Sequence, residues 1–282
     1  MSLGFISRSA MVPSGHPLFN AWRKIEWGAN HANELSVFIS KSFHEIPIGH
    51  KFDLKTNEHV FYFNADPDVF FEDISKAGLM MGDAIHNFRS ALDSAVFALA
   101  HSDSPRGVKF PHKLQFPICD NSGGWNSEMG RKRLNGVKPK HVAIIERFQP
   151  YHGKNFVNID DTIFVNPLAL LRDSSNIDKH QQITDIEFSP GEIRPHISFI
   201  QPFEAGILSG HFFHKPWDIS AGNFNAEIHR LENNRKLPKT DVDMIAFVSH
   251  PVLQSRGIYI EVILYAIRIE VIRIFRELKS LF

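Results

Sequence analysis

The feature that most constrains the fold is the run of residues 69–100, which follows the Asp66-Pro67 break. Within it Met81, Ile85, Phe88, Leu92, Val96 and Leu99 recur every three or four positions, the spacing of one buried helical face. The rest of the chain has to pack along a helix of this length, because a helix within a protein gains most of its stability from the face it buries against its neighbours. The same helix carries a polar stripe. In GDAIHNFRSALDSAVFALA, residues 82–100, His86, Arg89 and Asp93 fall at i, i+3 and i+7. With His86 at the origin of the helical wheel, Arg89 sits at roughly 300° and Asp93 at roughly 340°, against an apolar face centred at roughly 230°. The stripe therefore borders the buried face. Two readings follow. In a cleft, His86 would be a general acid/base, Arg89 an anion contact and Asp93 the group that orients one of them. In a clasp, Arg89 and Asp93 would fasten this helix to the next, with His86 bonded to a backbone carbonyl.

Other segments fall into place around this helix. Residues 18–45 place Trp22, Ile25, Ala29, Ala32, Leu35 and Ile39 at helical spacing. KFDLKTNEHVFYFNA, 51–65, alternates about a polar turn and predicts a β-hairpin. Residues 101–140 read as loop, broken by six glycines and prolines from Pro105 to Gly124 and again at Pro139. A short helix is expected over 139–148, and another from Pro167, a good first-turn residue, to about His180. ITDIEFSP, HISFIQP, AGILSGHFFH, FNAEIHRL and VDMIAFVSH then predict an antiparallel sheet of four or five strands. The run from Gly257 predicts a long terminal helix, apolar on more than one side, buried in the domain or shared with a second subunit. The expected fold is α+β. Helices 18–45, 69–100 and 167–180 form a helical layer beside a C-terminal antiparallel sheet and the terminal helix. The division expected is a mainly helical region 1–180 with an inserted hairpin, and strands plus helix over 181–282, packed as one unit.

A second polar cluster is LLRDSSNIDKH, residues 170–180. Arg172, Asn176 and His180 are spaced by four and share one side of a helix; Asp178 points elsewhere. Lys179 and His180 suit the negative end of a helix dipole, a purely structural role. The alternative makes Arg172, Asn176, Asp178 and Lys179, with Asn87, a binding site or polar network that faces Arg89, with His180 as a second acid/base.

These motifs carry a resemblance. His86-Asn87-Phe88-Arg89-Ser90-Ala91-Leu92-Asp93, Phe116-Pro117-Ile118, Gln149-Pro150-Tyr151 and Asn176-Ile177-Asp178-Lys179-His180 occur in this order. Together they resemble a family of uncharacterised bacterial proteins, over roughly residues 18 to 185. Arg89-Ser90 also begins a pattern similar to that of HEPN-type helical ribonucleases. The histidine of that pattern would fall at Ser94, Ala95 or Val96. One class of function is the metal-independent processing of RNA or a nucleotide, as in a defence or toxin-like protein. His86, Arg89, Asp93 and His180 would be its catalytic groups. The other class is a non-catalytic binding or scaffold protein whose polar motifs form a structural network.

Composition narrows the partners. Lys plus Arg and Asp plus Glu number 31 each, so the chain lacks the overall basic charge of a strong nonspecific nucleic-acid binder. The basic run 131–140, RKRLNGVKPK, reads as a solvated loop or a phosphate contact. Cys119 is the only cysteine, which excludes an intramolecular disulfide and points to a reducing cytoplasm. His211 and His214 would face opposite sides of a strand and share no metal. No cofactor or metal motif and no membrane-spanning run is present, so neither cofactor nor membrane is expected. A homodimer through the terminal helix is the expected assembly.

Overall fold

The computed structural model describes residues 12–44, 48–53, 58–63, 67–104, 107–154, 156–160, 163–180, 186–195, 229–232, 240–248 and 258–282. Seven α-helices dominate these residues: α1 (Phe19–His44), α2 (Pro67–Asp103), α3 (Ser122–Asn126), α4 (Glu128–Arg133), α5 (Pro139–Arg147), α6 (Pro167–His180) and α7 (Ile260–Lys279). The chain divides into two compact units. One comprises residues up to Leu35, Leu79–Thr184 and Ile260–Phe282; the other comprises Ser36–Gly78 and Asp185–Tyr259.

The first unit is built on α2. Met81, Ile85, Phe88, Leu92, Val96 and Leu99 are all buried, so the apolar spacing of the sequence is the packed face. α1 lies antiparallel to it. Gly28 of α1 makes the approach close: a Cβ there would sit 3.0 Å from the Phe88 ring and 3.2 Å from the Ala84 carbonyl oxygen. Lys24 seals the edge of this contact, its Nζ donating to Ser90 Oγ at 2.6 Å and Ser94 Oγ at 2.8 Å. α7 packs on α6 and α5. It buries Ile263, Ile267, Val271, Ile274 and Phe275, and the Phe275 ring lies 5.4 Å from that of Trp22.

The stretch 101–140 is not all loop. It holds a single 3-10 turn (Pro111–Lys113), then α3 and α4. Each helix is short and depends on its cap. The Asn121 side chain accepts from Gly124 N, and that of Ser127 from Gly130 N. Asp103, at the end of α2, accepts from Lys138 N at 2.8 Å and from His141 Nδ1 at 2.5 Å. That buried carboxylate ties the start of α5 to the end of α2.

The expectation of an α+β fold with a C-terminal antiparallel sheet needs correction: the described fold is mainly helical. Most core side chains of the first unit come from helices and from the irregular segment 114–119. A short hairpin, β3 (Val157–Asp160) with β4 (Ile163–Val165), is the strand pair of this unit among the described residues. In the second unit the C-terminal strand segments do not join in one sheet. β5 (Ile186–Pro195) pairs with β7 (Thr240–Val248), which pairs with the two-residue β8 (Ile258–Tyr259). β6 (His229–Glu232) instead pairs with β2 (Glu58–Phe63), whose other neighbour is β1 (Ile48–Asp53). Alternation along a strand is a local signal, and it does not say which strand will be the partner. HISFIQP, AGILSGHFFH and with them His211 and His214 lie outside the described residues.

α7 also buries a carboxylate. Glu270 is 5% exposed, and its Oε1 has no partner among the described residues. Burial pushes its pKa up, against the lowering effect of Arg273. The folded state therefore holds this proton more tightly than the unfolded state. The stabilising contribution is present at acid pH and is lost as pH rises through the carboxylate range. Glu270→Gln should raise the melting temperature at pH 7 and leave it nearly unchanged at pH 4, as read by thermal unfolding at the two pH values.

Candidate functional site

Residues 114–119 form no helix or strand, yet Leu114, Phe116, Ile118 and Cys119 are buried. Buried backbone N–H and C=O groups have to be paired, and here no neighbouring strand supplies the partners. Side chains do. Asp93 Oδ1 accepts from Phe116 N at 2.8 Å, and Arg89 Nη2 donates to Phe116 O at 2.7 Å. The two side chains are also paired with each other, Nη2 to Oδ1 at 3.2 Å. One helical turn of α2 thus bonds both polar groups of a single residue, as a strand partner would.

Gln149, buried at the end of α5, continues the pattern. Its Oε1 accepts from Cys119 N at 3.0 Å, and its Nε2 donates to Pro117 O at 2.9 Å and to Ile145 O at 3.1 Å. A donor and an acceptor in these positions fix the orientation of the amide. The remaining links lie at the two ends. Gln115 N donates to Arg133 O at 3.1 Å. Arg172 of α6 reaches Asp120 with Nη1 and its neighbour Asp173 with Nε, both at 2.6 Å. The segment is held from α2, α4, α5 and α6 at once.

The electrostatics follow from this packing. Burial lowers the pKa of Arg89; Asp93 counters that, and Arg133 and Arg172 add to it. An arginine keeps its charge through such a shift at neutral pH. Burial also works against the charge of Arg172, but its hydrogen bonds to Asp173 and Asp120 prevail and its pKa rises. Cys119 is pushed up by burial and by Asp120, against Arg133 and Arg172, so the thiol stays protonated at neutral pH. The Tyr151 hydroxyl, raised first by burial, donates to Glu146 Oε1 at 2.9 Å.

The structure brings Arg89 and Asp93 together with the Phe-Pro-Ile and Gln-Pro-Tyr stretches, and brings Arg172 to Asp120. It does not bring His86 there: that side chain is exposed, with no bonded partner among the described residues. Asn87 bonds Asp83 O of its own helix at 2.8 Å. Asn176 is exposed, and the side chains of Asp178, Lys179 and His180 lie outside the described residues. Sequence reasoning missed Lys24, Asp103, Asp120 and His141, and it assigned no role to Gln149. A glutamine placed just after the expected short helix and before Pro150 was the one sequence signal for the last of these. At Ser94, where the helical nucleases would carry histidine, the neighbour is Lys24.

Among the described residues no group of three or more His, Cys, Asp or Glu side chains is arranged to hold a metal ion. No helix among them is long and apolar enough to cross a membrane. No family model matches the chain, and no curated protein or solved structure matches it.

Gln149→Leu keeps much of the volume but leaves Pro117 O, Cys119 N and Ile145 O without their partner. Each orphaned buried group costs about 1–3 kcal/mol, and relaxation recovers part of the sum. A loss of roughly 2–4 kcal/mol is expected, read as a lower urea midpoint at unchanged m-value.

Proposed function

We propose that this chain is a binding or scaffold protein in which Arg89, Asp93 and Gln149 form a structural network rather than catalytic machinery. The observation that supports this reading is that Arg89 Nη2 and Asp93 Oδ1 are both engaged by the Phe116 peptide. RNA cleavage through these motifs would need Arg89 free for phosphate and Asp93 free to orient an imidazole. His86, the nearest candidate base in sequence, is oriented by neither of them. The lone buried cysteine suits a cytoplasmic setting. The proposed partner is a second copy of the chain meeting it at α7, where the apolar Tyr265 and Ile269 are exposed.

Purified wild type, His86→Ala, Arg89→Ala, Asp93→Ala and the double variant test the proposal, with a fluorescent RNA-cleavage assay and thermal unfolding on the same samples. Each of the two clasp variants should lose about 2–3 kcal/mol, or roughly 4–12 °C in melting temperature. The double variant should fall well short of the sum, because the first substitution already breaks the shared peptide contact. The wild type should cleave no RNA above buffer. RNA cleavage abolished by His86→Ala, together with unchanged melting in the Arg89 and Asp93 variants, would overturn the reading.

A further inference from the structure

α4 ends on a basic turn, Arg131, Lys132 and Arg133, which the network above uses only through its backbone. Lys132 pairs with Glu128. Arg133 is half-buried, and its guanidinium has no partner among the described residues. The Arg133 carbonyl accepts from Gln115 N, which fixes the last turn of α4 beside the pinned segment. Arg172 reaches the same segment from α6 through Asp120, and Arg89 reaches it from α2 through Phe116. Arg89 and Arg172 thus set guanidiniums on Phe116 and Asp120, and the backbone of Arg133 is anchored at Gln115 of the same segment.

Charges of one sign at this proximity cost free energy unless something negative lies among them. The positive charges of Arg133 and Arg172 both bear on Arg89 and on Cys119. Asp93 serves Arg89, while Asp120 and Asp173 serve Arg172. No described carboxylate serves Arg133. Arg89 also keeps a buried Nη1 that bonds nothing among the described residues. A buried charged donor without an acceptor is rare and often marks a place where an ion or water belongs. The planar fork of arginine matches the oxygens of a phosphate two at a time.

We propose that the surface over Cys119, walled by Arg133 and Arg172 and backed by Arg89, binds an oxyanion of the phosphate class. The ligand is either free phosphate or the phosphate group of a larger molecule. This deepens the binding reading above and rests on it, since the clasp is what holds the three arginines against one segment. A protonated Cys119 puts no repelling charge beneath the anion.

Titration calorimetry on the full chain at low salt tests this with inorganic phosphate and with adenosine monophosphate. The proteins compared are wild type, Arg133→Gln and Arg147→Gln, the last an exposed arginine paired with Glu277. Saturable binding to wild type is expected. It should weaken about tenfold or more in Arg133→Gln and stay unchanged in Arg147→Gln. Tighter binding of the nucleotide would identify a larger ligand, and equal binding a free ion. A second readout needs no variant: saturating phosphate should raise the melting temperature of the wild-type protein. Binding that ignores Arg133→Gln would mean an adventitious ion only and would overturn the proposal. No binding to wild type, or no rise in its melting temperature with phosphate, would overturn it as well. Neither failure touches the clasp, whose test is the melting of the Arg89 and Asp93 variants.

Discussion

A buried stretch of backbone that belongs to no helix and no sheet has to find its hydrogen bonds somewhere. Phe116, Pro117 and Cys119 find them on the side chains of Arg89, Asp93 and Gln149. This constraint links elements that are far apart in sequence. α2 cannot shift without releasing Phe116, and α5 cannot shift without releasing Pro117 and Cys119. The cost of breaking such a link is the desolvation of a group left bare, which exceeds the net gain from a typical hydrogen bond. It also explains why charged side chains stand at the edge of a buried face, where an exposed i,i+4 pair would contribute little.

The helical wheel separated the roles better than the motif did. The apolar face of α2 is centred roughly 70° from Arg89, 110° from Asp93 and 130° from His86. Exposure follows that order: the Arg89 and Asp93 side chains are 13% and 28% exposed, and His86 is open to solvent. Chemistry alone groups the three residues, whereas geometry divides them into a pair that packs and one that does not.

Much of the α2 framework was legible because its information is local and periodic. The six apolar residues at helical spacing are the six that the helix buries. The placement of the Arg89–Asp93 pair at a buried edge was legible for the same reason. Its partner was not. A peptide group looks the same at every position, so no sequence pattern marks Phe116 as the acceptor and donor that the pair would meet. The second polar cluster was expected to be that partner, but Arg172 instead engages Asp120 and Asp173. The fold class failed on long-range pairing: β6 alternates like its neighbours in sequence, yet it joins β2 rather than β5 or β7. The short helices α3 and α4 were hidden by glycines, and their stability comes from the caps of Asn121 and Ser127.

Amide hydrogen exchange at Phe116 is the most direct measurement of the clasp. The account predicts that this amide exchanges as slowly as those in the core of α2, although it lies in no regular element. It also predicts that Asp93→Ala will speed its exchange far more than that of the α2 core. A Phe116 amide that exchanges at the rate of an open loop in the wild-type protein would contradict the account.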